Sequence, residues 1–170
     1  MRKQFGLSLI ELLIVVAVIL VISAITVPSL LRGRIAANES SAVEAVRQIS
    51  TAETSYHITY SQVGYAPDLS SLGGPMSGCT PSPAAACILD SVITSGTKSG
   101  YKFFAAGFSS GASAINTQFV GSSAPLNFDK TGVRNFCLAT DDGSVRAQPG
   151  TPGGIPAPDV PTCLAYSLLK

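Results

Sequence analysis

Glu11 is the residue whose chemistry first asks for an explanation. From Leu7 to Val27 the chain runs for twenty-one residues with no other formal charge. An ionised carboxylate inside an apolar helix of that length costs about 2.5–3.5 kcal/mol on membrane-insertion scales. Such a group needs a partner of opposite charge. A chain cut between Gly6 and Leu7 would supply one, because it creates a cationic amine four residues from Glu11.

Other candidates for chemistry are sparse. His57 is the only histidine, and it falls just off an apolar helical stripe, where packing or solvent contact is expected rather than proton transfer. Asp141 and Asp142 are adjacent carboxylates, but Asp142-Gly143 reads as a hairpin turn. Calcium there would need six or more oxygens from several segments, so no metal and no cofactor is expected. Asn38-Glu39-Ser40 fits a glycosylation pattern, yet it lies in a predicted helix, and such short patterns arise by chance. No constellation resembles an active site, and the expectation is a protein that is not an enzyme.

The four cysteines, Cys79, Cys87, Cys137 and Cys163, lie in the part of the chain expected to be exported. An even number in that compartment favours two disulfides. Three pairings are possible. The preferred one joins Cys79 with Cys87, closing a tight loop around Pro81 and Pro83, and Cys137 with Cys163, pinning the C-terminal tail. With no CxxC pair and one histidine, a zinc site is disfavoured.

The elements that carry these residues follow from periodicity. The apolar stretch after Gly6 is about as long as a membrane span, roughly 20 residues, and longer than the roughly 7–15 of a secretory signal core. Arg2 and Lys3 predict an N-terminus on the inner side and the bulk of the chain outside. Arg32 and Arg34 work against that rule and would instead neutralise acidic groups on neighbouring subunits. Beyond Ile35, residues Ala42, Val43, Val46, Ile49, Ala52, Tyr56 and Tyr60 recur at three- and four-residue steps, an amphipathic stripe. Glu39, Glu44, Arg47, Gln48 and Glu53 fall largely off it. One helix from Leu7 to Tyr60 would be about 80 Å long. Pro28 removes a backbone bond and crowds the carbonyl of Ala24, so a kink or local melting is expected there, with Gly33 a second weak point.

Residues 61–100 read as an irregular connector with one helical turn around Ala84–Ser91. Strands are predicted at Tyr101–Phe108, Ile115–Ser122, Val133–Thr140 and Ser144–Ala147. The 148–170 tail is too rich in Pro and Gly for regular structure. Roughly 100 residues after the helix suffice for one small core. The whole chain carries +1, and without Arg2 and Lys3 nine basic face ten acidic side chains. No basic stripe is present, and no direct contact with nucleic acid is expected.

A short basic leader ending at Gly6, then Leu7, Glu11 as fifth residue of the cut chain, an apolar helix and Pro28 together resemble the class III signal of type IV pilins and pseudopilins. The likeness is close over residues 1 to about 34; the family most often has Phe where this chain has Leu7. The resemblance implies an α+β pilin fold of lollipop form, a long helix packed on a four-stranded antiparallel sheet. It implies a cleaved leader (1–6), a helix over 7–60 with 7–27 as membrane span and filament core, a connecting loop (61–100), the sheet (101–147) and a C-terminal loop (148–170). It further implies cleavage by an inner-membrane prepilin peptidase, N-methylation of Leu7, and pairing of Glu11 with the Leu7 amine of the next subunit. Pro28 would mark a segment that unwinds on packing. The implied partners are identical subunits and the inner-membrane assembly machinery. The implied locations are the inner membrane for the precursor and the cell surface for the filament, in motility, adhesion or DNA uptake. A minor pilin or secretion pseudopilin is the alternative, and a membrane-tethered binding domain a more distant one.

Overall fold

A computed structural model of the chain describes residues 8–75, 77–111, 114–140 and 143–169. It has two compact units, Met1–Arg34 and Ile35–Lys170. The described part of the first is entirely helical after Ser8 and belongs to α1 (Leu9–Thr59). That helix is continuous through Pro28 and Gly33. Its apolar segment disposes of its hydroxyls internally, since Ser23 Oγ donates to the Ile19 carbonyl at 2.8 Å and Thr26 Oγ1 to that of Ile22 at 3.2 Å. Back-bonding of this kind is how a helix carries Ser and Thr where no water is at hand.

The second unit is α+β: the remainder of α1 packs on an antiparallel sheet. The stripe is buried as its spacing requires, with Ala42, Val46, Ile49, Ala52 and Tyr56 inside and Val43 and Tyr60 at the margin. The sheet has six strands in sequence order: β1 (Thr97–Lys98), β2 (Tyr101–Phe108), β3 (Gln118–Pro125), β4 (Arg134–Ala139), β5 (Arg146–Pro149) and β6 (Ser167–Leu168). The expected four are thus flanked by two more. Each added strand has two residues and pairs with one neighbour, β1 with β2 and β6 with β5. Runs so short have no alternation to read, so only a finished sheet edge reveals them.

Alternation sorts the central strands onto two faces. Tyr101, Phe103, Ala105, Phe119, Phe136 and Leu138 join the helix stripe in one core. There the helix approaches so closely that a Cβ on Gly121 would lie 2.9 Å from Cγ2 of Ile49. Val120, Cys137 and Ala139 face the other way and form a second core with Ala157, Val160, Cys163 and Tyr166. The tail expected to be irregular therefore covers the outer face of the sheet, and it contains a helix, α3 (Val160–Leu164), as well as β6. Asp159 caps α3 by accepting from the Thr162 N–H at 2.8 Å, with Pro161 in the first turn. This is a standard helix start hidden among prolines. Ser122 Oγ donates to the Ala157 carbonyl at 2.7 Å, and Arg146 Nη1 donates to the carbonyls of Leu164 and Tyr166 at 3.1 and 2.9 Å.

Both disulfides have the expected pairing. Cys79–Cys87 spans 6.2 Å and Cys137–Cys163 5.7 Å between Cα atoms. The connector holds a 3₁₀ turn at Leu69–Leu72 and α2 (Ser91–Thr94), capped by Asp68 and Asp90. The helical turn expected at Ala84–Ser91 is instead a tight turn bridged between Ser82 and Ala85. No helix follows directly, because the N–H groups of Ala86, Cys87 and Ile88 go to carbonyls of Ser71, Gly73 and Leu72 rather than to each other. Asp141 and Asp142 lie outside the described residues.

The Cys137–Cys163 bridge closes the longer loop and sits within the outer core. Replacing both residues by Ser is expected to lower unfolding free energy by about 2–4 kcal/mol, read as an earlier denaturant midpoint without reductant. An unchanged midpoint would show that packing alone holds the tail.

Candidate assembly site

Glu11 lies in the first turn of α1. Among the described residues no group hydrogen-bonds or ion-pairs with its carboxylate; Gly6 and Leu7 lie outside them. The surroundings of Glu11 are apolar along the chain and exposed on all sides. Every Leu, Ile and Val from Leu9 to Leu31 is between 45 and 80 % exposed. The helix is long and apolar enough to cross a membrane, and none of that apolar window is buried among the described residues. A contiguous exposed surface of this kind marks a membrane or protein interaction site.

The comparisons with known proteins fall on this same segment. Residues 1–27 match the model of the prokaryotic N-terminal methylation motif. The chain carries that motif. It is the class III signal peptide found at the start of type IV pilins, and with the long apolar helix it supports a type IV pilin-like or pseudopilin protein. No curated protein and no solved structure matches the chain.

In the second unit two acids of α1 correct the sequence reading, since Glu39 and Glu53 are buried rather than off the stripe. Helical spacing alone put them on its margin. What decides their burial is the backbone brought to them. Glu39 Oε1 accepts from the Val133 N–H at 3.0 Å, and its Oε2 takes Nε and Nη2 of Arg134 at 2.9 and 2.7 Å. Arg134 also lies over Phe136, 5.3 Å from the ring centroid, and its carbonyl accepts from the Tyr101 hydroxyl at 3.0 Å. Burial, and after it the nearby Glu39 charge, raises the Tyr101 pKa above the ordinary phenol range.

Glu53 has no such cation. Its Oε2 accepts from the Ala66 N–H at 2.8 Å, while Oε1 is buried without a partner. Burial pushes its pKa up to about 8, against the pull of the Ala66 N–H, and the charge of Asp68 adds to the rise. His57 is half-buried and stacks on Tyr65, ring centroids 4.6 Å apart. Asn38 of the glycosylation pattern donates through Nδ2 to the Thr131 carbonyl at 3.0 Å, a structural use of that side chain.

Glu39→Ala removes three hydrogen bonds, two of them from a guanidinium. It should cost about 1–3 kcal/mol in urea unfolding, limited by the exposure of the abandoned Arg134. Glu44→Ala, which loses an exposed pair at 4.0 Å to Arg47 and an exposed hydrogen bond from Gln48 at 3.5 Å, should cost less than about 0.5 kcal/mol. Equal losses in the two variants would contradict the assignment of Glu39 as the helix–sheet clamp.

Proposed function

We propose that this chain is a structural subunit that polymerises into a type IV pilus filament once residues 1–6 are removed. The observation that carries this reading is the conjunction at the N-terminus. A methylation motif leads into an apolar helix segment that the described residues leave uncovered, and that segment bears the carboxylate of Glu11, without a partner among the described residues.

In this reading a prepilin peptidase cuts after Gly6, and the new Leu7 amine is methylated and stays cationic. The helix over 7–27 holds the precursor in the inner membrane. Glu11 of one subunit attracts the Leu7 amine of the next and draws it from the bilayer into register at the base of the growing filament. The driving force is relief of an unpaired charge in a medium of low dielectric constant. Apolar helices then pack against one another as filament core, and residues 35–170 tile the outside. Pro28, which lacks a donor, and Gly33, which lacks a side chain, mark where α1 yields during packing.

A large share of filament formation should depend on the Glu11 carboxylate. Glu11→Ala should still be cut after Gly6, yet yield on the order of tenfold fewer sheared filaments or worse, since relief of an insertion cost of about 2.5–3.5 kcal/mol exceeds one decade of equilibrium. Wild-type filament yield from that variant would overturn the pairing.

A further inference from the structure

At the end of α1 the chain turns into the connector, and a small set of contacts holds the first connector residues down. Gly64 has φ +86°, and a Cβ there would lie 2.1 Å from the Asn116 carbonyl oxygen, so only glycine permits the turn. Tyr65 N–H then donates to the Asn116 carbonyl at 3.0 Å, and Asn116 Nδ2 returns a bond to the Tyr65 carbonyl at 2.9 Å. The Tyr65 ring lies between His57, nearly parallel at 18°, and Phe119, 4.8 Å away. Ala66 is tied to α1 by its N–H bond to Glu53.

Two polar atoms in this cluster stand out. Glu53 Oε1 is wholly buried and unpartnered, and so is Nδ1 of His57, one helical turn further on. Ionising Glu53 would place a charge on a carboxyl whose Oε1 is buried with no hydrogen-bond partner. The titratable groups around Glu53 are Tyr56 and His57 on α1 and Tyr65 and Asp68 on the connector. The sheet side brings Asn116 and Phe119, which do not titrate. Asp68 is the fixed charge acting on Glu53, and it repels. It is itself held ionised by the hydroxyl of Ser70 and the N–H and hydroxyl of Ser71.

We propose that Glu53 is a proton-operated latch: protonated, it pins residues 64–68 to α1, and on losing its proton to solvent it releases them so that water can reach the charge. The latch belongs to the single chain and holds whether or not the chain polymerises.

The sign follows from linkage. The closed state keeps its proton up to pH about 8, whereas an opened, hydrated Glu53 loses it near the ordinary pKa of about 4.3. Closure is therefore strongest at acid pH and weakens as pH rises, until the closed form ionises too.

The test is amide hydrogen exchange of the full-length processed chain in detergent micelles from pH 5.5 to 9, corrected for intrinsic exchange rates. Opening of the Gly64, Tyr65 and Ala66 amides should increase about tenfold per pH unit, the signature of one proton, and level off above pH about 8. Amides of β3 should not follow that profile, and Glu53→Gln, which keeps an acceptor for Ala66, should flatten it. A flat wild-type profile would overturn the latch, as would the same slope in Glu53→Gln. So would β3 amides opening in step, which would mark global unfolding. The wild-type profile decides by itself if the variant does not fold.

Discussion

The constraint on which everything else depends is an apolar helix that the described residues leave uncovered. From Leu9 to Leu31 the large side chains stay exposed, while the residues after Ile35 close their own two cores without calling on that segment. At about 25 cal/mol per Å² of apolar surface, leaving such a segment in water is untenable. A surface of that kind calls for a bilayer or for protein contact. In the assembly proposed above, Glu11 would make the two unequal: unpaired in lipid it is a cost, and beside a cationic chain terminus it would be an attraction with a defined register.

The second unit is organised around the same issue of where charge can be buried. Glu39 is buried at low cost because Arg134 meets it with two donors and Val133 adds a third. Glu53 lies along the same helix, but only one N–H reaches it. It therefore stays a protonated acid well above the usual carboxylate range. Two acids of one type differ in behaviour because one meets a cation on β4 and the other meets the start of the connector. On the opposite face of the sheet the tail is held by a disulfide, a serine hydroxyl and an arginine capping two carbonyls.

Much of this was legible in the sequence, and what was not has physical reasons. The stripe from Ala42 to Tyr56 specified a helix face directly, and β2 spans the residues its pattern marked, Tyr101–Phe108. β3 begins at Gln118 rather than Ile115 because Asn116 is drawn into the turn at Gly64. The Asp159-Val160-Pro161 helix start was available but was masked by the surrounding Pro and Gly. Burial of Glu39 and Glu53 was not available, since it depends on Arg134 and Ala66, which reach them only in the folded chain. For residues 1–27, which match a methylation motif, the legible signal was Arg2 and Lys3 in a leader ending at Gly6, then Leu7, Glu11 and the apolar run that follows.

The most direct measurement is intact and N-terminal mass spectrometry of the protein sheared from the surface of cells that make it. A mature chain beginning at Leu7, carrying one extra methyl group and lacking four hydrogens for two disulfides, is the predicted result. A chain that keeps Met1, or one that begins beyond Ala24 and is released as a soluble monomer, would contradict assembly through the Leu7 amine and Glu11.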